Sequence, residues 1–445
     1  MGKYFGTDGV RGRFGDMLTP SLARNIGLFL GDYPHGKTNR ILIGQDPRYS
    51  SPLLSEAIKQ ALIERGATVI DLGYTTTPSL SYLLSSTKNF DFAFMISASH
   101  NPFEDNGIKI FNHKGEKLSE DVESLIEQFL DHPVPLKQRT KGTIVDGKDL
   151  IHQYIDFIAQ QATFKSPKGK VLIDCANGSV SYLISLLIQK LGLNVELIHH
   201  QPNGKNINYL SGATYLDSLK DGLKKGKYLL GVSFDGDGDR MMAMLPNGFT
   251  IDGDAQIFIH ALEMKKNNIL VKNQVVLTIM SNLGLKKSLE QEGISIIEVP
   301  VGDRHVQLGL KNHQLILGGE QSGHVMFYDL LNTGSGLLSM VRLFNILFKD
   351  EGLTLSKTLS QLKLYPQVLR NVHVNNKETI LHKQVLKDMI KMKQSALNGH
   401  GRILVRASGT ESLIRVMVEA QTQEICENNV NQIVAVINQL EGQGE

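Results

Sequence analysis

Two cysteines, Cys175 and Cys426, are all that 445 residues contain, which excludes a disulfide framework. Cys175 ends an apolar run and Cys426 falls in a predicted helix, so both read as packing residues rather than reactive thiols. Neither sign of charge dominates: the formal net charge is +2. Nothing therefore favours nucleic acid or an anionic membrane surface as a partner. No apolar run is long enough to span a bilayer, and no low-complexity tract interrupts the chain. Met1 to Asp8 lacks an apolar core, so no secretory signal is expected. Gly6 stands where a myristoylation pattern needs Ser or Thr. A reducing, cytoplasmic setting is the expectation. With 41% hydrophobic and 21% charged residues, the composition is that of an ordinary globular protein. The length predicts about three domains.

The segment richest in chemistry is Asp235-Gly236-Asp237-Gly238-Asp239-Arg240. Three carboxylates recur at every second residue, separated by glycine. In an extended or looping backbone such side chains can converge on one point. Their repulsion there needs a cation, and hard oxygen ligands select Mg²⁺ or Ca²⁺. Arg240 adds an anion-binding fork beside the metal. An EF-hand is excluded, because Arg240 stands where that loop needs glycine and no Glu follows at its last position. An Asp/Gly surface turn is the plain alternative. Against it, the apolar run 228–234 reads as a buried strand, so the carboxylates sit at a strand's C-terminal end, where open α/β sheets bind ligands.

That strand belongs to a pattern that occurs three times. Ile41-Leu42-Ile43-Gly44 reads as a strand. A helix follows, with Ser51 as N-cap, Pro52 at its first position and Gly66 at its end. Thr68 to Leu72 is the next strand. The same βαβ order returns at 170–198 and at 275–299, so parallel pairs with right-handed crossovers are expected. Each unit has a later strand that runs into a polar loop: 92–96 into Ser97-Ala98-Ser99-His100-Asn101-Pro102, 228–234 into the aspartates, and 315–317 into Gly318-Gly319-Glu320-Gln321-Ser322-Gly323-His324. Three equivalent strand ends predict three domains facing one cleft. A proline-bearing linker covers 133–142, and a helix covers about 148–161. Past Pro366 the order strand (367–374), helix (379–393), strand (402–406), strand (413–420), helix (423–440) is α+β rather than doubly wound. The predicted domains are 1–150, 151–250, 251–365 and 366–445.

Several segments carry candidate chemistry. Ser99 can be a nucleophile or phosphate carrier, with Ser97 as its competitor and a structural turn serine as the plain alternative, and no Gly-x-Ser-x-Gly elbow supports a hydrolase triad. Glu320, Ser322 and His324 alternate in a way that suits sugar hydroxyls, as against a solvated turn. Arg406-Ala407-Ser408-Gly409-Thr410-Glu411-Ser412 joins two strands as a potential anion nest, with Arg415 on the next strand. A plain hairpin loop is its alternative. Gly6 to Arg13 is a glycine-rich basic loop, and Gly302-Asp303-Arg304 could be a surface ion pair. Gly334-Ser335-Gly336 is not a dinucleotide fingerprint.

Taken together, these segments resemble the α-D-phosphohexomutase family over essentially the whole chain. The carriers are Phe5 to Gly12, Ser97 to Pro102, Asp235 to Arg240, Gly319 to His324 and Arg406 to Thr410. Gln321, Val301 to Arg304 and Pro366 to Leu369 look like the branch acting on glucosamine phosphates. Ser412 departs from the usual proline and Ser335 from an acidic residue. The resemblance implies three similar α/β domains with mixed sheets around a central cleft, plus a C-terminal α+β phosphate-binding domain. It implies an isomerase that interconverts glucosamine 6-phosphate and glucosamine 1-phosphate, feeding UDP-N-acetylglucosamine and cell-wall synthesis. Ser99 would carry the phosphoryl group and, with Asp235, Asp237 and Asp239, would hold Mg²⁺. Glucosamine 1,6-bisphosphate, or glucose 1,6-bisphosphate, would be intermediate and primer. Lys109 and His324 are implied for proton transfer and Arg240 for charge compensation. Arg11, His100, Glu320, Ser322, Arg406, Ser408, Gly409, Thr410 and Arg415 are implied for substrate binding. A homodimer, and an activating kinase or autophosphorylation, remain open. The competing readings are a phosphomannomutase/phosphoglucomutase of the same family, and a metal-dependent sugar-phosphate phosphatase or binding protein.

Overall fold

The computed structural model describes residues 2–6, 8–33, 38–165, 167–350, 353–408 and 412–442. The chain separates into two compact units, residues 1–280 with 294–359, and residues 281–293 with 360–445.

Three sheets build the larger unit, and each contains the same four-strand core. In the first, Arg40–Gln45 runs parallel to Thr68–Tyr74 on one side and Phe92–Ile96 on the other, and Asp105–Asn112 closes antiparallel on Phe92–Ile96. In the second, Lys170–Asp174 lies between Val195–Ile198 and Tyr228–Phe234, with Met241–Met244 antiparallel at the far side. The third places Gln274–Thr278 between Ser295–Val299 and Leu317–Gly319, with Val325–Phe327 antiparallel. The three predicted βαβ units are therefore present, and all share the spatial order second, first, third, fourth. The central strands are unbroken apolar runs because helices bury them. Ile41, Ile43, Phe94 and Ile96 are all at 0% exposure. Each such side chain contributes about 1.5–3 kcal/mol by leaving water, so the strand ends that carry the polar loops are rigidly anchored.

The first sheet is wider than its sequence predicts, with seven strands. Phe5–Gly6 and Gly9–Arg13 form a hairpin whose second arm is antiparallel to Asp105–Asn112. Among the glycines that make 6–13 look like a loop, Gly9 is there for close approach: it has φ +77, and a Cβ on it would lie 2.3 Å from the Ile108 carbonyl oxygen. Thr143–Asp146 pairs parallel with Thr68–Tyr74 as an edge strand, exposed throughout, so it shows no alternation to read. The predicted N-cap at Ser51 needs correction. The helix is Ser51–Glu64, and the Ser51 hydroxyl donates to Asp46 Oδ1 at 2.8 Å instead of capping. A charged acceptor is the stronger partner.

The smaller unit is a three-stranded antiparallel sheet in the order Gln367–His373, Leu413–Ala420, Gly401–Ala407. Ile414, Val416 and Val418 alternate onto one face and meet Cys426, Val430, Ile433 and Ile437 of the helix Gln423–Gly442. Cys426 is thus a core residue, as expected. The helix predicted over 379–393 is two, Lys377–His382 and Gln384–Ala396, because Lys383 is extended with ψ 128. No proline or glycine marks that break. Helix Leu283–Gln291 also belongs here: Leu283 N–H donates to Glu419 Oε2 at 3.1 Å and Asn282 Nδ2 to the Tyr365 carbonyl at 2.9 Å.

Candidate active site

Ser99 lies just past strand Phe92–Ile96, fully buried, with a left-handed φ of +54. Its Oγ donates to Asp235 Oδ2 at 2.6 Å and stands 3.3 Å from His100 Nδ1. The competing hydroxyl, Ser97 Oγ, donates to Asp46 Oδ2 at 2.6 Å and accepts the Ser99 N–H at 2.9 Å, so it is spent inside the loop. The serine and aspartate loops touch through backbone. A Cβ on Gly236 would lie 2.4 Å from the Ser99 carbonyl oxygen, and one on Gly107 would lie 2.4 Å from that of Ser97.

One carboxylate oxygen from each of Asp235, Asp237 and Asp239 lies within 4.8 Å of the other two, and all three residues are buried. A turn produces this convergence, not the alternation of an extended strand: Gly238 has φ +71 and its N–H donates to the Asp235 carbonyl at 3.2 Å. Burial, then the charges of Asp239 and Asp237, push the Asp235 carboxyl well above the usual carboxylate range. Asp237 Oδ1 and Asp239 Oδ1 are buried with no hydrogen-bond partner. Surplus negative charge and orphaned oxygens fit a hard divalent cation such as Mg²⁺.

Lys109, on strand Asp105–Asn112, reaches the same group. Its Nζ lies 2.7 Å from Asp237 Oδ2, 3.2 Å from Asp239 Oδ2 and 2.9 Å from Asp8 Oδ2. Burial alone would lower its pKa, but Asp237, Asp8 and Asp239 outweigh it and hold the amine well above the ordinary lysine range. Burial likewise opposes the lowering of Asp239, and Lys109, His324 and Arg240 win, leaving it well below the carboxylate range.

The third sheet contributes His324 and Glu320. His324 Nδ1 is 3.7 Å from Asp239 Oδ2, and the Gly334 N–H donates to Nε2 at 3.1 Å. Burial lowers the ring's pKa, and Asp239 more than restores it, for a net rise. The Gly334 contact decides the tautomer: Nε2 accepts and the Nδ1 proton faces Asp239. Glu320 Oε1 accepts the Gly302 N–H at 3.0 Å. Ser322 Oγ is buried with no partner, which suits an incoming hydroxyl. Arg240 is half-buried, with Nε 3.8 Å from Asp239 Oδ1. Arg11 pairs with Asp8. Burial, with help from Arg240 and Arg11, pushes His100 down to about 3, so it faces Ser99 as a neutral ring.

Arg406, Ser408 and Arg415 lie in the C-terminal unit. Arg406 and Arg415 are direct cross-strand partners, and like charges so placed repel unless an anion sits between them. Lys377 Nζ, at 2.5 Å from the Ser408 carbonyl, adds a third cation. Gly409 and Thr410 lie outside the described residues.

Sequence reasoning missed Asp8, Asp46, Arg48, Thr77 and Asn208. Thr77 Oγ1 donates to Asp237 Oδ2. Asp46 and Arg48 follow directly on strand Arg40–Gln45, so their place at a parallel strand's C-terminal end was the available signal. Gly302 to Arg304 is not a surface pair: Asp303 Oδ2 meets Lys117 Nζ at 2.5 Å, and Arg304 is paired with Glu123. Ser335 caps helix Gly336–Leu347 by accepting the Leu338 N–H at 3.2 Å, and it meets Tyr154 Oη at 2.7 Å.

Three repeated α/β domains thus gather a serine, an aspartate cluster and a histidine at one buried centre, an arrangement suited to metal-assisted phosphoryl transfer. Residues 2–134, 152–248 and 252–365 match the α/β/α domains I, II and III described for phosphoglucomutase/phosphomannomutase, and 369–436 match its C-terminal domain. A phosphoglucosamine mutase of Bacillus pumilus is 42% identical over 99% of this chain and 100% of its own length. The chain belongs to the phosphoglucomutase/phosphomannomutase family. The crystal structure of a phosphoglucomutase/phosphomannomutase family protein from Burkholderia thailandensis has the same fold, with a TM-score of 0.80 at 22% identity and 97% of each chain covered. N-acetylphosphoglucosamine mutase of Aspergillus fumigatus, solved with GlcNAc-6P and magnesium, gives 0.70 at 18% identity, over 98% of this chain and 96% of that one. No helix among the described residues is long and apolar enough to cross a membrane.

Proposed function

We propose that the protein interconverts glucosamine 6-phosphate and glucosamine 1-phosphate through a phosphorylated Ser99 and a glucosamine 1,6-bisphosphate. The observation that carries this reading is Ser99 Oγ at 2.6 Å from Asp235, inside a buried three-carboxylate centre. The 42% identity to a phosphoglucosamine mutase supports the substrate. The phosphoryl group leaves Ser99 Oγ for O1 of the sugar 6-phosphate, and O1 gives up its proton. The bisphosphate then turns, and its 6-phosphoryl returns to Ser99 Oγ while O6 takes a proton. The net change is isomerisation, with the serine ester restored.

Asp235, Asp237 and Asp239 with Ser99 would hold Mg²⁺, which when bound offsets the charge of the transferring group. Arg240 adds fixed positive charge on the same side. Lys109 and His324 are the proton-transfer groups, Lys109 as the charged donor. Glu320 and Ser322 hold sugar hydroxyls, while Arg11 and His100 line the serine side. Arg406, Ser408, Gly409, Thr410 and Arg415 hold the phosphate that is not reacting, a task suited to two opposed guanidinium groups.

Side-by-side kcat/KM values for glucosamine, glucose and mannose 6-phosphates test the substrate. Glucosamine 6-phosphate should be best. A higher value for mannose or glucose would move the protein to another branch of the family. Free phosphate without any 1-phosphate would make it a phosphatase.

A further inference from the structure

Ser99 has a backbone conformation that a non-glycine residue rarely adopts, with φ +54. Such a residue costs on the order of 1 kcal/mol and persists only where its surroundings over-determine it. Both of its peptide groups are tied. On the amide side, the Ser99 N–H donates to Ser97 Oγ at 2.9 Å, and Ser97 Oγ donates to Asp46 Oδ2 at 2.6 Å. On the carbonyl side, two donors from different domains meet the same oxygens. Arg48 Nη2 lies 2.9 Å from the Ser99 carbonyl and 2.9 Å from that of Asn101. Asn208 Nδ2 lies 2.8 Å from the first and 3.0 Å from the second.

Arg48 has nothing left for any other task. It is at 0% exposure. Its Nε donates to Asp46 Oδ2 at 2.8 Å, and its Nη1 donates to the Pro102 carbonyl and, at 2.9 Å, to that of Asp105. With the two Nη2 contacts, all five N–H groups are used, three of them on the serine loop and one on the first residue of the strand that follows it. A planar fork can do this, whereas the point charge of a lysine cannot. Asn208 arrives from the second domain in its own left-handed conformation, φ +57, which asparagine tolerates.

We propose that Arg48 and Asn208 are positioning residues for Ser99. They clamp the carbonyls of residues 99 and 101 from two domains and so fix the hydroxyl on Asp235. This rests on the reading of Ser99 as the phosphoryl carrier. Both residues donate to backbone carbonyls of the serine loop rather than to its hydroxyl. Their loss should therefore misplace the reacting atom rather than weaken binding.

The test compares wild type, Arg48→Met, Arg48→Lys and Asn208→Asp, each assayed for kcat, KM and Tm with glucosamine 6-phosphate, Mg²⁺ and trace hexose 1,6-bisphosphate. Asn208→Asp keeps shape and backbone tolerance but turns a donor into an acceptor facing two carbonyls. It should lower kcat by roughly 10²-fold, the scale of an ångström's misplacement, with KM within about threefold and Tm near wild type. Arg48→Lys should be no better than Arg48→Met. The Arg48→Met/Asn208→Asp double variant should lose less than the product of the single losses, because both act on the same oxygens. Asn208→Asp protein with wild-type kcat would overturn the clamp, as would variants whose only defect is a lower Tm. Wild-type protein that makes no 1-phosphate would sink the mutase reading itself, a separate result.

Discussion

At Ser99 the question is which of two neighbouring hydroxyls carries the chemistry. Ser97 Oγ is held by Asp46 and by the Ser99 amide, whereas Ser99 Oγ faces Asp235 at 2.6 Å. Ser99→Ala should cut kcat by roughly 10⁴-fold or more while leaving the fold intact, and substantial activity with Ser97 present would move the role to Ser97. His100 makes a second prediction. Its folded pKa is pushed from 6.5 down to about 3, so the unfolded ring takes up its proton first as pH falls. Stability tied to this residue is complete above pH 6.5 and drains away between 6.5 and about 3. Denaturant titrations of wild type and His100→Gln should show the wild type losing up to about 1.4 kcal/mol more per pH unit across that window. Parallel pH profiles would contradict the burial of a neutral ring. The aspartates were legible because residue type and spacing carry their chemistry, whereas the local residues left Ser97 and Ser99 open and only the family resemblance favoured Ser99. Arg48 and Asn208 were not legible, since a buried arginine that serves backbone carbonyls leaves no periodic trace.

The elements that hold these residues explain why glycine separates the aspartates. Gly236 is bare because the Ser99 carbonyl oxygen approaches to 2.4 Å of where its Cβ would be. Gly236→Ala must push the two loops apart, and kcat should fall by roughly 10²-fold, with near-normal activity showing that the loops move independently. In the C-terminal unit, Arg406 faces Arg415 across two antiparallel strands. Arg406→Ala should leave the stability of the free protein within about 1 kcal/mol, the range of a cross-strand pair. The same change should lower kcat/KM by roughly 10- to 100-fold, the value of a lost charge-assisted hydrogen bond. A fully active variant would remove the anion-site role. Strands built from unbroken apolar runs, such as Phe92–Ile96, were readable from sequence. Thr143–Asp146 and the Gly9–Arg13 arm were not, because an exposed edge and a glycine-rich strand lack the alternation on which such reading depends.

Across the whole chain, three copies of one strand order bring three unlike loops to equivalent strand ends. The first supplies Ser99, the second the carboxylates and the third the histidine beside Asp239. That repetition was visible in the sequence, as was the α+β character of the C-terminal segment. The grouping of Leu283–Gln291 with that segment was not, because the helix reads as a crossover and only its hydrogen bonds to Glu419 and Tyr365 reveal the alternative. The central claim is that Ser99 holds the phosphoryl group between sugars, and label transfer tests it most directly. Radiolabelled glucosamine 1,6-bisphosphate should label one peptide, the one containing Ser99. Unlabelled glucosamine 6-phosphate should chase that label into sugar phosphates while 1-phosphate accumulates. Label that never reaches Ser99, or that leaves it only as free phosphate, would contradict the account.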